Sequence, residues 1–179
     1  KISKITDAKY NLALNSGTSA LLLSFKAIGL KENDIVITQS YTFVATTNSI
    51  IHCGATPWLF DISKENFNID IENVEKSLKN NCYKKGSYYF HKINKKRIFA
   101  ICPVFSFSII PDLKKIKQIA KKYNLKIIFD GACSIGAKFN GKSIIKNSDI
   151  CVFSFNGNKT ITTGAGDLIS KENKIFFKK

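Results

Sequence analysis

Short apolar runs recur along this chain, and between them apolar residues fall at helical spacing. That alternation constrains the fold more than any other feature. Strands that are apolar on both faces need cover on both sides, and amphipathic helices between them supply it. Strands are expected over residues 10–14, 35–38, 57–60, 97–102, 125–129, 149–155 and 166–170, and helices over 18–28, 43–53, 71–78 and 111–123. Gly54 ends the second helix, and Pro111 sits in the first turn of the last. The pattern predicts an α/β domain, a mostly parallel sheet flanked by helices. At 179 residues the chain reads as a single domain. Residues 80–96 break the pattern, being polar, basic and tyrosine-rich, and are expected to form an exposed loop or hairpin insertion.

The 28 basic residues against 13 acidic ones raise the question of nucleic acid. Arg97 is the only arginine, and arginine forks are the usual means of gripping bases and phosphates, so no nucleic-acid partner is expected. Lysine, asparagine and isoleucine are abundant together, which fits biased codon usage. The apolar stretch 20–25 is interrupted by Ser24 and ends at Lys26, and no other run is long enough to span a membrane. The five cysteines are odd in number and form no C-x-x-C pair, so free thiols in a reducing, cytoplasmic setting are expected, without a metal site. No secretion signal is visible. Methionine is absent, and the sequence reads as part of a longer chain.

Ligands of open parallel sheets bind beyond the carboxyl ends of the strands, and several polar clusters fall there. Asn15-Ser16-Gly17-Thr18-Ser19-Ala20 joins a strand to a helix. Gly17 lets backbone approach a ligand, and Thr18, Ser19 and the free N–H groups of the helix start make a phosphate cradle. A plain N-cap by Ser16 or Thr18 accounts for the same residues. Asp130 ends the run Lys126-Ile127-Ile128-Phe129-Asp130, placed to meet a ligand or to cap the next helix. Lys159 lies in a polar loop after a buried strand, where desolvation would make its amine nucleophilic; a surface lysine is the simpler reading. Phe43 puts an aromatic at another strand–helix junction, where core packing would also explain it. Taken together, a cradle, a flat ring, a carboxylate and a lysine suit pyridoxal 5′-phosphate.

The runs Asn15-Ser16-Gly17-Thr18-Ser19-Ala20-Leu21, Thr42-Phe43-Val44-Ala45-Thr46, Cys53-Gly54-Ala55-Thr56-Pro57, Asp130-Gly131-Ala132 and Phe153-Ser154-Phe155-Asn156-Gly157-Asn158-Lys159 resemble, in order and spacing, the sugar aminotransferases of the DegT/DnrJ/EryC1/StrS family. The likeness is strongest to members that aminate nucleotide-linked 4-keto-6-deoxy sugars in perosamine, bacillosamine and legionaminate pathways. It implies the large domain of fold-type I enzymes, incomplete at both ends and without the small C-terminal domain. Lys159 is similar to the lysine that holds the cofactor as an imine, Asp130 to the carboxylate beside the pyridine nitrogen, and Phe43 to the aromatic stacked on the ring. Gly17, Thr18, Ser19 and Ser154 match phosphate-binding positions. The resemblance also implies an amino donor, with glutamate expected, and a homodimer whose subunits complete each other's sites.

The sequence departs from that pattern in three places. Cys133 stands where the family usually has Gln or Glu near the ring oxygen, and cysteine is a weak hydrogen-bond partner. Residues 105–109 lack the His and Gly common in relatives. Ala165 and Asp167 interrupt a glycine-rich run, and an acid at 167, close to a phosphate or the sugar nucleotide, is expected to repel it. The alternative to an enzyme is therefore a non-catalytic relative that keeps the fold and dimer surface. A dehydratase on the same scaffold would carry His in place of Lys159.

Overall fold

A computed structural model of the chain describes residues 2–172. The helices are α1 (Ile2–Thr6), α2 (Gly17–Ala27), α3 (Val44–His52), α4 (Ile71–Asn81) and α5 (Leu113–Tyr123). The strands are β1 (Tyr10–Leu14), β2 (Ile35–Gln39), β3 (Thr56–Phe60), β4 (Cys82–Lys85), β5 (Tyr88–His91), β6 (Arg97–Cys102), β7 (Lys126–Asp130), β8 (Lys138–Phe139), β9 (Lys142–Ser143), β10 (Ile150–Ser154) and β11 (Asp167–Lys171).

One nine-stranded sheet follows the path β1-β11-β10-β7-β6-β2-β3, with the β4–β5 hairpin joined to the start of β6. Pairing is parallel from β10 to β3 and antiparallel where β11 lies between β1 and β10. The α/β architecture with a mostly parallel sheet is therefore the one the alternating pattern predicts. Because β11 runs against its neighbours, its first residue shares an edge with the last residues of β1 and β10. The register puts Asp167 between Leu14 and Ser154.

Strand side chains alternate between two cores. Ile127 and Phe129 face a core closed by Val74 and Leu78 of α4 and by Leu113, Ile116 and Ile119 of α5. Ile128 faces the other, closed by Leu21 and Phe25 of α2 and Ile50 of α3. Each buried Phe, Leu or Ile contributes about 1.5–3 kcal/mol, so these two layers hold the helices on the sheet. Caps fix where the helices begin. The side chains of Ser16, Asp70 and Asp112 accept the N–H groups of Ser19, Asn73 and Lys115. The cap at Asp112 leaves Pro111 outside α5, a correction to the expected start of that helix. Asn124, left-handed at φ 53°, ends it.

Residues 82–91 form the β4–β5 hairpin inside the segment read as a basic insertion, and Tyr89 packs edge-on against Tyr123 of α5 at 4.8 Å. The five cysteines are free thiols, all buried except the half-buried Cys133. Among the described residues, no helix is long and apolar enough to cross a membrane.

Candidate active site

The carboxyl ends of β1, β7 and β10 and the first turn of α2 surround a cleft of about 260 Å³. Gly17, Thr18, Phe43, Asp130, Ser154 and Lys159 all line it, so six positions far apart in sequence converge on one cavity. A neighbouring hollow of about 410 Å³ shares Phe43, Asp130 and Lys159 and adds Tyr41, Phe107 and Cys133. Ser19 lines neither. Its hydroxyl is 2.9 Å from that of Ser16, and its N–H donates to Ser16 Oγ at 3.2 Å, so it serves the helix cap. The first-turn N–H groups of Gly17 and Thr18 have no acceptor within α2.

Asp130 is 5% exposed at the end of β7. Thr46 of α3 donates its hydroxyl to Oδ2 at 2.7 Å, and the Ala132 N–H donates to Oδ1 at 3.2 Å. Burial pushes the Asp130 carboxyl above the usual carboxylate range, while Thr46, the Ala132 N–H and the charge of Lys159 pull it down. Gly131 follows as a close-packed spacer, its N–H donating to the Val152 carbonyl at 2.9 Å.

Lys159 is half-buried in the loop after β10. Its N–H bonds the Asn156 carbonyl at 3.0 Å, and Thr160 donates to the Cys133 carbonyl at 2.6 Å. The loop is thereby tied to residues 130–134 on the far side of the cleft. Ser108 also donates to the Cys133 carbonyl, so it is the backbone of Cys133 that carries the bonding there. Phe43 precedes α3 and is 76% exposed, its ring free to face a ligand.

Sequence reasoning did not single out two residues that shape the site. Thr46 is one helical turn beyond Phe43 and fully buried; a threonine on the buried face of a helix is the available signal. Gln39, also fully buried, donates to the carbonyls of Tyr41 and Phe67 and to Ser106 Oγ, and accepts from the N–H groups of Ile69 and Val104. It fixes the wall of the second hollow. Its signal is a glutamine ending an apolar strand.

The chain as a whole has known relatives. The sequence profile of the DegT/DnrJ/EryC1/StrS aminotransferase family matches residues 1–179. The chain belongs to this family. Among its curated relatives, a GDP-perosamine synthase of Caulobacter vibrioides is 37% identical over 162 residues, covering 90% of this chain and 39% of that protein. A UDP-4-amino-4,6-dideoxy-N-acetyl-beta-L-altrosamine transaminase of Campylobacter jejuni is 34% identical, covering 96% of this chain and 42% of that one. Among solved structures, NtdA of Bacillus subtilis with bound cofactor PMP superposes with a TM-score of 0.82 at 29% identity, over 98% of this chain and 36% of that one. This member of the aminotransferase family thus spans about two-fifths of the length of the curated relatives it matches.

In this aminotransferase-family chain, the positions read from the sequence as departures from the resembled pattern lie around the two adjoining hollows. Cys133 borders the second hollow. Phe107 and Ser108 occupy left-handed backbone, at φ 53° and 64°, where glycine would be unstrained. Asp167 lines the first cleft, 3% exposed.

Proposed function

We propose that this chain carries the cofactor-binding part of a pyridoxal-phosphate-dependent aminotransferase acting on a nucleotide-linked 4-keto-6-deoxy sugar, with glutamate as amino donor. The observation that carries this reading is the pairing of a buried, Thr46-bonded Asp130 with Lys159 across one cleft. The residues fit the cofactor in kind. Asp130 presents an anion for a protonated ring nitrogen, Phe43 a flat apolar face, and Lys159 an amine. The N–H groups of Gly17 and Thr18, with the Thr18 and Ser154 hydroxyls, present donors for a phosphate.

When bound, the cofactor supplies an electron sink and carries the amino group between donor and acceptor. The chain's own residues do the rest. Asp130 holds a proton at the ring nitrogen, and Thr46 keeps that carboxylate oriented and ionised. Lys159 Nζ accepts the donor's Cα proton and returns it, acting as general base and then acid. Phe43 and Ala132, which both line the cleft, would hold the cofactor by apolar contact.

Exposed Phe43, Tyr41, Phe67 and Phe107 gather at the mouth, with Phe67 and Phe107 edge-on at 5.7 Å. An aromatic rim left in solvent supports a homodimer in which a second copy covers it.

The relatives named above act, by their names, on GDP- and UDP-linked sugars, which supports this substrate class. The second reading, a non-catalytic relative, is favoured by one observation, the buried Asp167 in the phosphate end of the cleft. The test is to mix the chain with pyridoxal phosphate, reduce with borohydride, and map the modified peptide by mass spectrometry. Modification confined to Lys159 and lost in Lys159→Ala is the expected result. Modification spread over surface lysines, or none, overturns the reading. Transfer of nitrogen from labelled glutamate to a GDP- or UDP-linked 4-keto-6-deoxy sugar tests the substrate class.

A further inference from the structure

At the phosphate end of the cleft, this chain has placed an anion of its own. Asp167 opens β11, between Leu14 of β1 and Ser154 of β10. It is 3% exposed, and its Oδ1 has no hydrogen-bond partner. That atom points at the start of α2: a Cβ built on Gly17 would lie 3.1 Å from it. A buried oxygen without a partner, beside a helix N-terminus where the Gly17 and Thr18 N–H groups have no acceptor within the helix, occupies the region that a ligand anion would use.

We propose that Asp167 is the residue that gates phosphate entry: an anion docks at the α2 end of the cleft only as this carboxylate takes up a proton. The cofactor form of the proposal rests on the function proposed above; the phosphate form stands on the geometry alone. Two negative groups cannot both be ionised in a site shielded from water without a large repulsion.

The surroundings make proton uptake accessible. Burial raises the Asp167 carboxyl above its ordinary value; the Ser154 hydroxyl and the charge of Lys159 pull it down, and Asp130 pushes it up. Lys159 comes from the loop after β10 and Asp130 from β7, while β1 and α2 face the carboxylate with Leu14 and Gly17. The sign follows. A raised carboxyl is protonated at higher pH than a free one, so anion affinity rises as pH falls toward its titration. One proton taken up per anion gives a slope of about one decade of affinity per pH unit above it.

The experiment uses two probes on the native chain, Asp167→Asn and Asp167→Gly. The first probe is inorganic phosphate, read as the shift it causes in the thermal unfolding midpoint. The second is pyridoxal phosphate against pyridoxal, read by absorbance, with pyridoxal controlling for the pH dependence of the amine chemistry. Asp167→Asn keeps the volume and removes the charge, so it remains informative if the glycine variant folds poorly. The expected result is that both variants bind phosphate and pyridoxal phosphate at least about tenfold more tightly than the native chain at pH 8. The gap closes as pH falls, and pyridoxal binds all three alike. Equal binding of phosphate by native chain and Asp167→Asn across pH overturns the gate. If Asp167→Asn alone binds phosphate at pH 8 while no variant takes the cofactor on Lys159, the gate stands and the cofactor reading falls. If all take the cofactor on Lys159 equally, the reverse holds. If neither probe binds any variant, both fall.

Discussion

Thr46 Oγ1 lies 2.7 Å from Asp130 Oδ2 and donates to it, joining the first turn of α3 to the end of β7. Thr42 and Thr46 hydroxyls are 2.9 Å apart, so the contact continues toward the cleft mouth. A buried carboxylate on the last residue of a strand keeps its charge only if donors reach it, and Thr46 is the side chain that does so. Replacing Thr46 by Val keeps the shape and removes the donor. Asp130 would then titrate still higher, and affinity for pyridoxal phosphate at neutral pH is expected to fall by about 1.5–3 kcal/mol, tenfold or more. Thr46→Ser should retain most of it. An absorbance titration of the three proteins decides.

Asp130 also leaves a mark on stability. Its folded-state carboxyl is raised, chiefly by burial. The stability it contributes is full below the ordinary carboxylate value near 4 and is lost as pH rises through the raised folded value. Asp130→Asn does not titrate, so urea unfolding should find it more stable than the native chain at neutral pH. The advantage should vanish as pH falls toward that ordinary value. Exposed Asp7 and half-buried Glu75, lowered by their lysine partners, act with the opposite sign and cancel in the difference between the two proteins. A variant that gains stability while losing cofactor binding would mark Asp130 as kept for its chemistry.

The only arginine anchors the other end of the sheet. Arg97 donates through Nε to Asp34 Oδ1 at 2.8 Å and through Nη2 to Oδ2 at 2.5 Å, and its guanidinium lies 4.5 Å from the centre of the Phe99 ring. The pair joins the starts of β6 and β2, and Asp34 is nearly buried. Arg97→Ala strands that carboxylate and is expected to cost about 3–5 kcal/mol in urea unfolding. Arg97→Lys should recover only part, because an ammonium can neither fork nor stack in the same way.

What the sequence disclosed and withheld follows from which interactions are local. Strands buried on both faces read as continuous apolar runs, so β2, β6, β7 and β10 stood out, and α5 declared itself by the spacing of Leu113, Ile116 and Ala120. The short α1, β8 and β9 were not anticipated, being below the length at which a period can be recognised. The antiparallel direction of β11, which brings Asp167 beneath Gly17, depends on pairing between residues 14 and 167 and has no local trace. Thr46 and Gln39 were missed for the same reason: their partners lie on other elements. Asp130 and Lys159 stood out because one ends a strand and the other lies in the loop after one, where a polar residue is conspicuous. Ser19 matched a phosphate-binding position by resemblance, yet in the structure it bonds back to Ser16.

Gly131 offers a last test of how tightly the site is built. Its backbone needs no left-handed conformation, so what requires glycine there is space. An added Cβ would meet Cys151 Sγ at 3.2 Å, Phe153 Cε1 at 3.3 Å and the Val152 carbonyl oxygen at 3.3 Å. Two of these belong to buried side chains of β10 and the third to its backbone, so none can swing away as an exposed side chain would. Gly131→Ala must push residues 130–132 off β10, overpacking the core at a cost of about 1–3 kcal/mol. The same shift moves Asp130 away from Thr46, so cofactor affinity should fall along with stability. Gly157→Ala is the control: nothing lies within 4 Å of its added Cβ, and a change within about 0.5 kcal/mol is expected. Urea unfolding and cofactor titration of both variants should therefore separate cleanly. Equal behaviour of the two would mean that β7 and β10 yield at the very point where the site depends on their spacing.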